Sequence, residues 1–184
     1  DNVQFIIDES ERLSGLFNDL LDISRLQANN VALELSEYNI TESIRQVLNR
    51  YNKLREVEGY SINFEYDDEI VISADEAKIY QVLYNLINNA INYCGPEKTD
   101  TVRQLINEDK LRIEVSDTGA GIKAEDLPYV WDRYYKDKSG HKRALKGTGL
   151  GLSIVKNVLD LHKATYGVNS TPGKGATFWF ELDL

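Results

Sequence analysis

The chain has a single cysteine, Cys94, three prolines and no methionine among its 184 residues. One cysteine excludes an internal disulfide framework and a cysteine-based zinc site. It reads as a structural thiol in a reducing compartment, and the chain is expected to be cytoplasmic. No apolar run approaches the length of a membrane span, and no segment has the pattern of a secretory leader. Positive charge is also scarce: 21 Lys and Arg stand against 30 Asp and Glu, a formal net charge of −9. That balance excludes a general nucleic-acid binder, which needs a basic footprint. A local basic cluster can still hold an anionic ligand. Hydrophobic residues at 42% and charged residues at 28% fit an ordinary globular core and exclude disorder. A start at Asp1 without methionine predicts a piece of a longer protein.

From Asp1 to about Asn29, Val3, Ile6, Leu13, Phe17 and Leu20 fall on alternating three- and four-residue steps, with Ser10 and Ser24 completing the seam and Leu16 and Ile23 widening it. A lone helix does not bury such a stripe. It packs either on its own domain or in a helical hairpin that dimerises, and the second reading is favoured. Val31–Tyr38 alternates like a strand. Thr41 and Glu42 open a helix that runs to about Gly59. Ser61–Tyr66 and Glu69–Ser73 read as two strands joined by the acidic turn Asp67-Asp68. Asp75 caps a helix ending near Tyr93, before Gly95-Pro96. Thr101–Ile106 and Lys110–Ser116 form a hairpin. An irregular stretch from Asp117 to about Thr148 holds short helical pieces. A helix from Gly149 to His162 and a strand from Thr177 to Leu182 close the chain. This order predicts an α/β (α+β) two-layer sandwich, a mixed sheet on helices, preceded by one long helix.

The helix from Asp75 carries Ile79, Leu83, Leu86, Ile87, Ala90 and Ile91 on one arc and Gln81, Asn85, Asn88, Asn89 and Asn92 on the other. Asparagine is a poor helix former because its side chain competes for backbone hydrogen bonds. A solvated face would carry Lys and Glu instead. Rule-breaking of this kind marks functional sites, so the amide row is read as facing a ligand. A neutral amide oxygen suits Mg²⁺, which keeps waters and shares phosphate oxygens.

Three glycine-rich segments follow. Asp117-Thr118-Gly119-Ala120-Gly121-Ile122 leaves a strand; its glycines admit close backbone approach, and its carboxylate can accept from an exocyclic amine. Gly147-Thr148-Gly149-Leu150-Gly151-Leu152 opens a helix whose first amides favour phosphate. It is neither a Rossmann fingerprint nor a Walker A loop. Lys136, Lys138, His141, Lys142, Arg143 and Lys146 lie just upstream, a basic cluster in an acidic chain. A mobile lid over a nucleotide has this polar composition. Gly173-Lys174-Gly175 precedes the last strand.

Together these segments resemble the catalytic, ATP-binding domain of sensor histidine kinases, in the superfamily shared with gyrase, heat-shock chaperone and mismatch-repair ATPases (the Bergerat-type fold). Asn85–Tyr93 resembles the N box. Asp117–Gly121, Gly147–Gly151 and Gly173–Gly175 resemble the three glycine boxes, and Val130–Tyr135 the aromatic box that starts the lid. The likeness covers about Val31 to Leu184, so residues 30–184 form the catalytic domain. Residues 1–29, with Glu9–Leu13 and Leu20–Arg25, resemble the second helix of the dimerisation hairpin.

The resemblance implies that Asn89 holds Mg²⁺, with Asn85 nearby. It implies that Tyr93 packs on the purine and that Asp117 accepts from the adenine amine, supported by Thr177 through water. Gly119, Gly121 and Ile122 shape the adenine slot. Gly147, Thr148, Gly149, Leu150, Gly151 and Leu152 serve the phosphates, and Asn92 and Tyr135 also belong to the ATP site. Lys136, Lys142 or Arg143 meets the γ-phosphate. The expected activity is transfer of that phosphoryl group to a histidine on a helix absent here, in a homodimer, for relay to a response regulator. A superfamily ATPase and a catalytically silent ATP-sensing module are the alternatives. Two features depart from the family: many members carry a basic residue at the position of Asn92, and neither His141 nor His162 has the surroundings of a phosphoacceptor.

Overall fold

The structure is a computed structural model and describes residues 2–27, 32–132 and 150–184. A 26-residue helix, α1 (Asn2–Gln27), comes first. There follow β1 (Ser36–Asn39), α2 (Ile40–Asn49), α3 (Asn52–Glu58), β2 (Ser61–Glu65), β3 (Val71–Ala74), α4 (Glu76–Tyr93), β4 (Thr99–Asn107) and β5 (Lys110–Ser116). After a 3-10 turn at Leu127–Tyr129 come α5 (Gly151–Leu161), β6 (Thr165–Ser170) and β7 (Ala176–Asp183).

Five strands form one sheet in the order β2-β4-β5-β7-β6. β2 and β4 run parallel and every other neighbour is antiparallel, so the sheet is mixed as expected. Strict alternation in β5 and β7 buries Leu111, Ile113, Val115, Ala176, Phe178, Phe180 and Leu182 on one face. That face meets the apolar sides of α2, α4 and α5, including Ile44, Val47, Leu83, Ile87, Ile154 and Val158, in a single core. The outer face carries Arg112, which lies 4.1 Å over the Trp179 ring and donates to Glu181 at 3.0 Å.

Several expected elements differ. Ser61–Tyr66 and Glu69–Ser73 do not pair with one another: β2 joins β4, whereas β3 pairs antiparallel with β1 in a separate two-stranded sheet. A buried polar tether explains the detour. The Thr41 hydroxyl donates to Gln104 Oε1 at 2.8 Å and accepts from Ile70 N, while Gln104 Nε2 donates to the Asp68 carbonyl. Thr41 is therefore committed to the core, and Asn39 caps α2 by accepting from Glu42 N at 3.0 Å. The expected single helix to Gly59 is two helices that break at Arg50-Tyr51, where Tyr51 turns into the core. The first strand begins only at Ser36, because Glu34 N is drawn instead to Asp75 Oδ2.

β6 went unforeseen because Gly167 interrupts its pattern. A Cβ at Gly167 would lie 2.7 Å from the Trp179 ring, so the glycine makes room for an aromatic on the neighbouring strand. On α1, Leu16 packs against the core, but Val3, Ile6, Leu13, Phe17 and Leu20 are exposed. Among the described residues no second helix covers that stripe.

Candidate functional site

Helix α4 is anchored at both ends. Asp75 Oδ1 accepts from Lys78 N at its start, and Asp75 N donates to His162 Nε2 at 3.1 Å. His162 Nδ1 faces the Val158 carbonyl at 2.8 Å, so both ring nitrogens are engaged in joining α4 to the end of α5. His162 thus packs at the end of α5 and ties it to the start of α4. Burial works to raise the Asp75 carboxyl, but bonds from Glu34 N and Lys78 hold it below the usual carboxylate range. The expected apolar arc, with Val82 added, is buried, and Gln81, Asn85, Asn88, Asn89 and Asn92 are half-buried along the other side. Asn88 is partly spoken for, since its Oδ1 accepts from the Tyr51 hydroxyl at 3.4 Å. Asn85 turns toward the start of α5, where its Oδ1 lies 3.5 Å from the position of a Cβ on Gly151. The amide row and the first turn of α5 are therefore neighbours.

Asp117 follows β5 directly and stays on the buried side, 7% exposed. Its backbone N donates to the Ala176 carbonyl and its Oδ1 accepts from Gly119 N at 2.8 Å. One residue earlier, the Ser116 and Thr177 hydroxyls meet at 2.7 Å. The glycines here are steric requirements. A Cβ on Gly119 would fall 1.8 Å from the Tyr93 carbonyl oxygen, and one on Gly175, at φ +79°, would fall 2.0 Å from the Asp117 carbonyl oxygen. Gly121, at φ +76°, faces the Thr171 carbonyl, while Ile122 N donates to Ser170 Oγ at 2.7 Å. The glycine turn after β5 is thus wedged between the end of α4 and the β6–β7 turn. Tyr93 is 39% exposed beside it.

Asn85, Asn89, Asn92, Tyr93, Asp117, Gly119, Gly121, Ile122, Leu150, Gly151, Leu152 and Thr177 accordingly sit on connected elements: the end of α4, the turn after β5, the start of β7 and the start of α5. Leu150 is fully buried and its carbonyl accepts from Ser153 Oγ at 2.8 Å. Of the aromatic box, Val130 is buried and Trp131 packs edge-on to Tyr166 and Phe178. Tyr135, Lys136, Lys142, Arg143, Gly147, Thr148 and Gly149 lie outside the described residues. Sequence reasoning passed over Ser116, Ser170 and above all Asp100, a 2% exposed acid on β4. Asp100, Val102 and Gln104 alternate toward the core, a period-2 pattern that a strand begun at Thr101 does not reveal.

No group of three or more His, Cys, Asp or Glu side chains among the described residues is arranged to hold a metal ion. A cation here would rest on amide oxygens and on oxygens brought by a ligand. A cavity of about 280 Å³ lies elsewhere, at the opposite end of β5 and β7, lined by Leu33, His162, Lys163, Thr165 and Leu182 among others. It contains none of the expected site residues. No helix among the described residues is long and apolar enough to cross a membrane.

Residues 74–184 match the family described as histidine kinase-, DNA gyrase B- and HSP90-like ATPases. Sensor protein SrrB of Staphylococcus aureus (strain NCTC 8325 / PS 47) is 34% identical over 182 residues, which is 99% of this chain and 31% of SrrB. The chain thus spans about a third of the length of that relative. Full-length ShkA in complex with AMPPNP superposes with a TM-score of 0.83 at 27% identity, over 98% of this chain and 38% of ShkA. Histidine kinase ThkA in complex with the response regulator protein TrrA gives a TM-score of 0.78 at 25% identity, over 99% of this chain and 50% of ThkA. The chain belongs to the histidine kinase-, DNA gyrase B- and HSP90-like ATPase family, and the proteins it resembles include a sensor protein and a histidine kinase.

Proposed function

We propose that the chain binds Mg·ATP between the amide face of α4 and the turn after β5, and hands the γ-phosphoryl group to a histidine on a helix outside this chain. The observation that carries this reading is Asp117: a buried carboxylate fixed by Gly119 N, in a turn pressed against the end of α4. A buried carboxylate, which accepts and does not donate, suits the exocyclic amine of adenine. Gly119, Gly121 and Ile122 shape the slot around the base and Tyr93 packs on it.

The amides of Leu150, Gly151 and Leu152 open α5 toward the phosphates, as helix starts do. By the family resemblance, Gly147, Thr148 and Gly149 would serve the phosphates, Tyr135 would belong to the ATP site, and Lys136, Lys142 or Arg143 would meet the γ-phosphate; all of these lie outside the described residues. Asn89, with Asn85 beside the first turn of α5, would hold Mg²⁺ through amide oxygens, and Asn92 lies on the same face. The donor set fits a hard cation that borrows phosphate oxygens. The metal would supply charge stabilisation to the transferring phosphoryl group; the chain itself binds, orients and excludes water.

Asn85 favours a kinase over a hydrolase of the same superfamily, because an amide is no general base for water. The acceptor is a helix of the same full-length protein, and the exposed stripe of Val3, Ile6, Leu13 and Phe17 on α1 fits a dimerising hairpin. A response regulator is the onward partner, as ThkA has in TrrA. The full-length protein would place this domain on the cytoplasmic side.

Mixing the chain with Mg·ATP and a separately prepared acceptor hairpin tests the reading. Phosphohistidine on the hairpin is expected, with slow steady-state ATP turnover by the chain alone. Nucleotide binding without phosphohistidine would favour a silent ATP-sensing module, and rapid turnover a hydrolase. At the metal, Asn89→Ala is expected to weaken ATP about tenfold at saturating Mg²⁺, equivalent to ~1.4 kcal/mol, and to abolish the gain that Mg²⁺ brings. Calorimetric titration with and without Mg²⁺ checks this; an unchanged Mg²⁺ gain removes Asn89 from the role.

A further inference from the structure

Asp100 has no role in the site as described so far, yet it is one of its most buried side chains. It is 2% exposed, and neither carboxyl oxygen accepts a hydrogen bond from any described residue. An unpaired ionised carboxylate in such a position is costly. Its place follows from strand register. Thr101 pairs with Ser116 across β4 and β5, so the next rung sets Asp100 opposite Asp117. The Thr118 hydroxyl, donating to the Thr99 carbonyl at 3.0 Å, continues the same register one rung further. Both acids face the helices, because β4 buries Asp100, Val102 and Gln104 and β5 buries Leu111, Ile113 and Val115. Directly opposed side chains in an antiparallel pair have Cβ atoms about 5 Å apart, and the Asp117 charge acts on the Asp100 carboxyl.

We propose that Asp100 is a positioning residue of the purine site, which stays protonated and donates a hydrogen bond to Asp117, fixing the Asp117 carboxylate as a single oriented acceptor for the base. This rests on the reading of Asp117 as the base acceptor. The flanking groups suit a protonated Asp100. Ile62 adjoins it from β2, and Tyr60 and Cys94 lie nearby, with Tyr60 interacting with both Cys94 and Asp100. Lys98, two residues before Asp100, sits over the Tyr60 ring at 5.2 Å and donates to the Glu58 carbonyl. Burial first, and then the Asp117 charge, push the Asp100 carboxyl up to about 7.

A sign follows. A base seated on the pair removes remaining solvent and favours the singly protonated form, so binding takes up a proton near and above neutrality. Affinity then falls as pH rises, by at most about tenfold per pH unit for one linked proton. In the free protein the folded state holds this proton more tightly than the unfolded chain does. Its contribution to stability is full below about pH 4, the unfolded value, and is lost as pH climbs through about 7.

The test is calorimetric titration of the full chain with Mg·ADP, from pH 6 to 8.5, in buffers of different protonation enthalpy. Wild type and Asp100→Asn are compared, so that the nucleotide's own phosphate titration cancels. The amide is isosteric and donates without titrating. We expect wild type to take up a fraction of a proton more than Asp100→Asn at pH 7.5, and its affinity to fall several-fold more between pH 6.5 and 8.5. Equal proton uptake in the two chains overturns the proposal. Absence of nucleotide binding by wild type would instead overturn the Asp117 reading. Urea unfolding of the free chains at the same pH values gives a second readout. Wild type alone should lose stability as pH rises through 7, and parallel curves would count against the proposal even if the variant folds poorly.

Discussion

Gly119→Ala is expected to destabilise the fold by about 2–3 kcal/mol and to abolish measurable nucleotide affinity. The added Cβ would lie 1.8 Å from the Tyr93 carbonyl oxygen, 3.0 Å from the Tyr93 carbonyl carbon and 2.9 Å from Asp117 Oδ1. Two of these atoms are backbone at the end of α4 and cannot rotate away. Relief requires the turn to back off from the helix, which opens the very seam where the base is proposed to sit. It also lengthens the bond from Gly119 N to Asp117 and frees that carboxylate from its set orientation. Gly15→Ala is the matched control. Nothing lies within 4 Å of its added Cβ, and it is inside a helix, where alanine is the better former. In urea unfolding the two variants should move in opposite directions, and in Mg·ADP titration only Gly119→Ala should lose affinity.

Asp117→Asn is expected to lower affinity for adenine nucleotides about 100-fold while keeping the turn folded. The amide oxygen can still accept from Gly119 N, so the turn is retained. What changes is the second terminal atom, which becomes an NH₂ facing the amine of the base. A hydrogen bond to a charged partner, worth ~1.5–3 kcal/mol, is replaced by two opposed donors. The same swap should improve a 6-oxo purine relative to wild type, because its carbonyl accepts what the amine refuses. Titrating ATP and ITP against both chains reads the two effects at once. Equal loss for both nucleotides would point to a damaged turn rather than a lost acceptor.

The elements that sequence reasoning placed well are those whose signals are local. Asp75 caps α4, and the apolar arc of that helix is the buried one. The β4–β5 hairpin closes through Glu108-Asp109 with Glu108 at φ +55°, between two cleanly alternating strands. The failures arise where a distant partner decides. Thr41 looks like a cap until Gln104, 63 residues away, claims its hydroxyl. β2 and β3 look like a hairpin until each finds a different neighbour. β6 is concealed by a glycine whose reason, Trp179, lies on another strand. In the candidate site, Asp117 and the amide row carry their own signatures in spacing and composition. Asp100 carries none, because its meaning comes only from the acid that the register sets across from it.

Chemical-shift mapping locates the nucleotide on the fold. Mg·AMPPNP is titrated into the ¹⁵N-labelled chain and the perturbed backbone amides are identified. The largest shifts are expected at Asn89, Tyr93, Gly119, Gly121 and Gly151. Shifts concentrated instead around Leu33, His162, Lys163 and Thr165, at the cavity on the far end of the sheet, would contradict the proposed site.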